Sequence, residues 1–324
     1  MNKRISVIIP LHNDRGGLIK CLRALDSNDY DNYEVIIIDD CSNDDPGQVA
    51  AEHKHMIVRL PQRAGPAIAR QEGIKYVSGE IIAFLDSDCQ PEKDWLNKIN
   101  LYLKEGIDGI GGSYEYEEKK SFFSSFLKYF SRYWFSRWPK DKTDFLLGGN
   151  CAYRREALQE DRRGSEQIYF KGIASGDDTL MNLEIAKKHK LSYCPELKVT
   201  HAYLSLGDFL KKQLKWGFSR TIISLRFPKE KLWQAKDLPV AQITFQLFAT
   251  GLFLSALLLF NWHLILTAMF LLLLAHFGPL NYLYSRKRSV LFLLYAFFIF
   301  ILININFHFS LNIFFTLILE FPFP

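Results

Sequence analysis

Three runs of mostly branched apolar residues set the tightest limit on what this chain can become: Ile5-Ser6-Val7-Ile8-Ile9, Glu34-Val35-Ile36-Ile37-Ile38 and Ile81-Ile82-Ala83-Phe84-Leu85. Their apolar residues run on rather than alternating with polar ones. Each therefore expects cover on both faces, as in parallel strands flanked by helices. Helical patterns fill the intervals, over 17–27, Pro46 to His53 and Pro66 to Val77, with a short strand-like stretch Ile57-Val58-Arg59-Leu60 before the third. That order predicts an α/β domain built on a mostly parallel central sheet.

The ends of the strands carry the chemistry. Asp86-Ser87-Asp88 directly follows Ile81 to Leu85, which sends two carboxylates out of the carboxyl edge of the sheet, where open α/β folds hold ligands. Two hard oxygen donors there suit Mg²⁺ or Mn²⁺, with substrate phosphates completing the shell. A solvated polar turn is the plain alternative for Asp-x-Asp.

Further stretches follow the same logic: Ile8-Ile9-Pro10-Leu11-His12-Asn13, Ile38-Asp39-Asp40-Cys41-Ser42, Ala64-Gly65-Pro66-Ala67-Ile68-Ala69-Arg70, Gly148-Gly149-Asn150-Cys151 and Ser175-Gly176-Asp177-Asp178. The stretch at 64–70 opens a helix whose N-terminus suits phosphate. Structural readings stand beside these. Asp39 and Asp40 suit capping of the next helix, and Asp177 with Asp178 suits a helix N-terminus. The glycines at 148 and 149 can serve backbone conformation alone, and His201 can be a structural histidine.

As a set in this order, from Ser6 to about His201, the motifs resemble the family 2 glycosyltransferases of the nucleotide-sugar-dependent, GT-A type. The resemblance implies a nucleoside-diphosphate sugar donor, a divalent metal (Mg²⁺ or Mn²⁺) and inversion at the anomeric carbon. Carried over by position, Pro10 and His12 line the nucleotide pocket and Asp40 holds the base, usually uracil. Arg70 packs near the diphosphate. Asp86 meets ribose or metal, Asp88 binds the metal, and His201 reaches metal or phosphate. Gly148, Gly149 and Asn150 match the acceptor-side loop, and Asp178 matches the catalytic base, with Asp177 the competing candidate because the acid pair is Asp-Asp where many relatives have Glu-Asp. Many membrane relatives also carry Gln-x-x-Arg-Trp. Here Lys212-Gln213-Leu214-Lys215-Trp216 has Lys at the Gln and Arg positions, which leaves Lys215 and Trp216 on the acceptor side and weakens a processive synthase.

Composition separates the 324 residues into unlike parts. The expected division is a catalytic domain over 1–204, basic and aromatic interfacial helices over 205–238, and an all-α membrane region over 239–324. Val240 to Phe260 and Trp262 to Tyr284 are each about 20 residues of apolar sequence, enough to cross a bilayer. Ser289 to Leu319 supplies at least one further crossing. Arg286-Lys287-Arg288 and the bases before Val240 fall on one side of a three-crossing arrangement. The positive-inside rule makes that side cytoplasmic, in the cell membrane with the catalytic domain in the cytosol.

The net charge of +5 fits a membrane surface better than nucleic acid, because the Lys and Arg residues cluster near apolar segments. Residues 121–138 place Phe122, Phe123, Phe126, Tyr129, Phe130, Tyr133 and Trp134 on one helical face, which suits a lipid interface or a protein core equally. Five widely spaced cysteines with no CxxC pair argue for reduced thiols rather than a zinc site or disulfide framework. Ile5 to Pro10 reads as a first strand rather than the apolar part of a secretory leader.

The expected activity is sugar transfer to a lipid-linked or glycan acceptor at the membrane, in cell-envelope polysaccharide or glycolipid synthesis. The alternatives are a polysaccharide synthase that extrudes its product and a non-catalytic nucleotide-sugar-binding membrane protein.

Overall fold

The computed structural model describes residues 2–103, 106–138, 140, 143, 144, 146–160, 177–215 and 262–303, with single positions among 250–259 and at 305. The strands are β1 (Ile5–Leu11), β2 (Tyr33–Asp39), β3 (Met56–Arg59), β4 (Ile81–Leu85), β5 (Cys89–Pro91), β6 (Gly109–Tyr116), β7 (Asn150–Arg154) and β8 (Leu191–His201). Helices α1 (Arg15–Asp26), α2 (Gly47–Glu52), α3 (Pro66–Gly73), α4 (Trp95–Tyr102), α5 (Phe122–Ser136), α6 (Arg155–Glu160) and α7 (Asp177–Ala186) are threaded among them.

All eight strands join one mixed sheet in the order β3-β2-β1-β4-β7-β6-β8-β5. The parallel pairs are β1 with β2 and β4, β2 with β3, and β6 with β8. β7 runs antiparallel to both β4 and β6, and β5 runs antiparallel to β8. Six strands therefore point one way, and only β5 and β7 oppose them. The expectation of a mostly parallel sheet agrees with this, and the opposed strands add a feature that the apolar runs did not announce.

Successive residues of the central strands face opposite layers. Ile5, Val7 and Ile9 pack with Leu18, Cys21, Leu22 and Leu25 of α1 and with Trp95, Leu96 and Ile99 of α4. Ile8, Ile36, Ile38, Ile82 and Phe84 pack with Ala69 of α3, Tyr153 of β7 and Ile185 of α7. Burial on both faces explains why β1, β2 and β4 read as continuous apolar runs. The sheet's carboxyl edge gathers the ends of β1, β2, β4, β6 and β8 with the starts of β5 and β7, since Leu85 pairs Asn150 and Cys89 pairs His201.

The chain groups into two compact units, 1–117 with 138–202 and 118–137 with 203–324. In the second unit the aromatic face of α5 forms a core. Phe126 is fully buried and meets Phe300 edge-on with ring centroids 5.5 Å apart, and Phe123 meets Phe209 of the 206–215 helix at the same separation. Phe122 and Tyr129 lie against Phe292. Phe123 and Phe126 of this face are in the protein core, while Phe122 stays 48% exposed.

Among the described residues no single helix is long and apolar enough to cross a membrane. The continuous crossing expected over 262–284 is instead a pair of helices, Trp262–Ala275 and Phe277–Lys287, bent by 71°. Pro279 follows three residues after the break. Its ring cannot accept a straight helix through Ala275, because it lacks the N–H and meets the carbonyl four residues back. A shorter apolar helix, Val290–Ile303, comes next. Most of Val240 to Phe260, and 306–319, lie outside the described residues. Leu266, Phe270, Leu291, Leu294 and Phe298 keep large apolar side chains exposed.

Candidate active site

Two loops at the carboxyl edge are laced together by polar side chains. Pro10 is buried within β1 opposite Ile38. His12 follows the strand, and its Nδ1 lies 2.7 Å from the carbonyl oxygen of Asp40 while Nε2 lies 3.1 Å from Asn13 Nδ2. That pairing assigns the proton to Nδ1, since a carbonyl only accepts and an amide nitrogen only donates. Asp39 caps the turn that follows β2, accepting from the Ser42 N–H at 2.8 Å and from Arg59 Nη1 at 2.9 Å. Asp40 is only 4% exposed, and its two oxygens accept from the N–H groups of Ala64 (2.6 Å) and Gly65 (2.8 Å). Gly65 has φ +92° there, a conformation that glycine adopts without strain. The Asp40 carboxylate thus fixes the start of α3, the helix that carries Arg70.

Arg70 reaches Asp86 at the end of β4, with Nη2 to Oδ1 at 2.7 Å. The Asp86 carboxylate lies directly over Gly149, where a Cβ would stand 2.0 Å from Oδ2 and 2.6 Å from the Tyr114 hydroxyl. The backbone joins the same two positions, because the Asp86 N–H donates to the Gly149 carbonyl at 3.2 Å. The turn between the two aspartates is pinned to α1, where Ser87 Oγ donates to Asp14 Oδ2 and Asp14 also caps the helix at Gly17.

Asp88 faces His201 across the β5–β8 edge, with Oδ2 3.3 Å from Nε2. His201 is 2% exposed, and Tyr114 and Tyr116 pack against its ring with centroids 5.4 and 5.3 Å away. Its Nδ1 lies 2.9 Å from the Ala202 carbonyl, while the Ala202 N–H donates to the Asp88 carbonyl. The Ala202 carbonyl engages Nδ1, which leaves Nε2 turned toward Asp88. This is how histidines that bind metal are commonly oriented. Cys89 lies beside them, and ligand atoms of Asp88, Cys89 and His201 fall within 4.8 Å of one another. One carboxylate, one imidazole and an adjacent thiol fit a divalent cation. Burial, then the charges of Asp88 and Asp86, push the Cys89 thiol well up, and burial with Asp86 does the same to the Tyr114 phenol.

The Gly-Gly-Asn stretch divides its work. Gly148 and Gly149 form the turn into β7, and Asn150 is fully buried. Its Oδ1 accepts from Trp95 Nε1 at 2.9 Å, and its Nδ2 donates to the carbonyls of Ser113 (3.1 Å) and Leu197 (2.9 Å). All three bonds go to the protein interior, so the turn offers a ligand its backbone and the space left by its glycines.

Asp177 and Asp178 form the first turn of α7, and their side chains lie outside the described residues. Asn182, one turn further on, is fully buried, accepts from the Tyr153 hydroxyl at 2.5 Å and donates to the Leu146 carbonyl at 2.8 Å. α7 leads through a short turn into Leu191 at the amino end of β8. Lys215 is exposed at the end of the 206–215 helix of the second unit, and Trp216 lies outside the described residues.

Sequence reasoning missed Tyr114, Tyr116 and Cys89. The alternation in Ser113-Tyr114-Glu115-Tyr116 was a usable sign, since residues two apart in a strand share a face. Nothing local marked their meeting with His201.

Residues 6–162 match the family described as Glycosyl transferase family 2. The glycosyltransferase AglE of Haloferax volcanii is 35% identical over 120 residues, which is 35% of this chain and 40% of that protein. A Methanococcus voltae protein named dolichyl N-acetyl-alpha-D-glucosaminyl phosphate 3-beta-D-2,3-diacetamido-2,3-dideoxy-beta-D-glucuronosyltransferase is 25% identical over 252 residues, 71% of this chain and 76% of that one. The chain spans less than half the length of the first curated relatives that it matches. Among solved structures, the mannosyltransferase PcManGT from Pyrobaculum calidifontis, in complex with GDP-Man and Mn²⁺, superposes with a TM-score of 0.56 at 16% identity, over 94% of this chain and 86% of that one. That likeness is one of fold. The class comes from the sequence match: residues 6–162, just under half of the chain, are a family 2 glycosyltransferase domain.

Proposed function

We propose that this chain moves a sugar from a nucleoside diphosphate, with uridine the first candidate, to a hydroxyl of a lipid-linked or glycan acceptor, inverting the anomeric carbon. The observation that carries the reading is the convergence of Arg70, Asp86, Asp88 and His201 at one edge of the sheet. A divalent cation at Asp88 and His201 would neutralise the negative charge that grows on the departing diphosphate. Arg70, held by Asp86, supplies a fixed guanidinium to the same leaving group and needs no rearrangement as charge develops.

The acceptor hydroxyl is a weak nucleophile until a carboxylate takes its proton. Asp178 is our candidate for that base, with Asp177 as the competitor. The Asn182 anchor of α7 supports that reading, which needs base and leaving group held in line across the anomeric carbon.

The Methanococcus voltae relative is named for a dolichyl-phosphate-linked sugar, which supports a lipid-linked acceptor. The exposed apolar side chains of the 262–303 helices, beside Arg286, Lys287 and Arg288, support placement at a membrane with the catalytic domain on its cytoplasmic side. Cell-envelope glycan synthesis is the process that these features fit.

A screen of nucleotide sugars with Mn²⁺ or Mg²⁺ and membrane extract, scoring release of nucleoside diphosphate, tests the reading. One donor should give release that depends on both cation and extract. Asp178→Asn should abolish turnover and leave donor binding intact. Failure of every donor would remove the reaction, and near-normal transfer by D178N would remove the base.

A further inference from the structure

We infer that Cys89 is a third, sulfur ligand of the cation held by Asp88 and His201, and that it gives the site a preference for thiophilic ions over Mg²⁺. The inference rests on the cation reading of this site and adds a donor to it.

Three observations carry it. Cys89 and His201 are direct partners in the antiparallel β5–β8 ladder, and directly opposed residues put their side chains on one face about 5 Å apart. Cys89 Sγ lies 3.6 Å from Asp88 Oδ1, while the other oxygen of that carboxylate, Oδ2, faces His201 Nε2 at 3.3 Å. One carboxylate thus bridges the sulfur and the imidazole, with all three ligand atoms within 4.8 Å. The tyrosines at 114 and 116 hold the imidazole from the side, so the gap between sulfur and nitrogen is set by the strand pairing and by packed rings.

The donor type decides the preference. Carboxylate and imidazole alone accept Mg²⁺, Mn²⁺ or Zn²⁺, whereas a thiolate discriminates strongly for the softer ions. Metal ligation by cysteine requires the thiolate, so binding moves the Sγ proton to solvent as the metal–sulfur bond forms. The consequence is a site that Zn²⁺ or Cd²⁺ occupies tightly, with Mn²⁺ intermediate and Mg²⁺ weakest.

The test uses the full chain in detergent. Titration with Cd²⁺ should raise the ultraviolet charge-transfer absorption of a cadmium–thiolate bond at one ion per chain and release about one proton. Cys89→Ser should remove that band and weaken Cd²⁺ binding by more than tenfold, with Mn²⁺ binding changed by under threefold. Cys21→Ser, at the neighbouring buried thiol, should leave the band in place. X-ray absorption of the wild-type chain loaded with one Zn²⁺ needs no variant and should show one sulfur at about 2.3 Å. A first shell of nitrogen and oxygen only, or a Cd²⁺ band that survives C89S, overturns the inference while leaving a cation at Asp88 and His201. If neither Mn²⁺ nor Cd²⁺ binds the wild-type chain, the cation reading fails as well.

Discussion

Gly149→Ala tests how closely the acid edge is built. Gly149 does not have a positive φ, so alanine carries no backbone penalty there and the effect is one of space alone. The new Cβ would meet Asp86 Oδ2 at 2.0 Å and Cγ at 2.2 Å. Ordinary carbon contacts begin near 3.5 Å, so the carboxylate must retreat by roughly 1.5 Å. That movement breaks its 2.7 Å bond to Arg70. A hydrogen bond between charged groups contributes about 1.5–3 kcal/mol, and the partial exposure of Asp86 puts this one at the lower end.

Denaturant unfolding should therefore show a loss of about 1.5 kcal/mol. Donor turnover should fall more steeply, by about 100-fold in kcat/KM, because a misplacement near 1 Å costs that much where charge develops. The decisive measurement is the double-mutant cycle. In an Asp86→Ala background the carboxylate clash is gone and only the Tyr114 hydroxyl, 2.6 Å from the new Cβ, has to give, so G149A should cost clearly less than in the wild type. Additive losses in the two backgrounds would refute the reasoning, since they would place the strain somewhere other than the carboxylate.

Asn150→Ala leaves Trp95 Nε1 and two carbonyls without partners in the core, and chemical denaturation should report a loss of about 3 kcal/mol or more. Asn182→Leu should lower kcat with little change in donor KM, because it frees α7 while leaving Arg70 and Asp88 in place. At the opposite edge of the sheet, burial works to raise the pKa of Glu34, but hydrogen bonds from Ser6 and Ser78, with Arg4 nearby, hold the carboxyl below its usual range. A depressed folded value stabilises the protein above the unfolded pKa of about 4.3, and that gain disappears as pH falls through the folded value. Glu34→Gln should therefore lose stability at pH 7, with the difference from wild type shrinking in acid unfolding curves below about pH 4.

The left half of the sheet was legible because both faces of β1, β2 and β4 are buried, and continuous apolar runs are what such strands require. The right half was not. β6 contains Gly109, Gly111 and Gly112 and has no continuous apolar run to mark it. The reason for the glycines is the close approach of neighbouring groups, since a Cβ at Gly112, beside the register shift between β6 and β8, would lie 1.7 Å from the Leu197 carbonyl oxygen of β8. β5 is three residues long and includes a proline, and only the partnership with β8 makes it a strand. Between 262 and 303 the apolar sequence is helical, but a single proline stands just after the 71° bend in what reads as a spanning pattern.

At the site, sequence found which residues stand at the edge but not what their side chains do there. Asp40 and Asp88 both lie just beyond buried strands, and both look like ligands. The fold separates them by the local supply of backbone donors. The loop before α3 presents the N–H groups of Ala64 and Gly65 to Asp40, so its carboxylate also holds a helix. Asp88 meets the His201 imidazole and the Cys89 thiol instead, side chains that can also ligate a cation. Asn150 follows the same rule from the other direction: a conspicuous polar residue in a glycine turn spends all its bonds on the core. A polar residue at a strand end is a structural group when neighbouring main chain can satisfy it. It becomes a candidate for chemistry only when its surroundings leave it facing groups of matching ligand type, and that distinction lies in the strand pairing rather than in any motif.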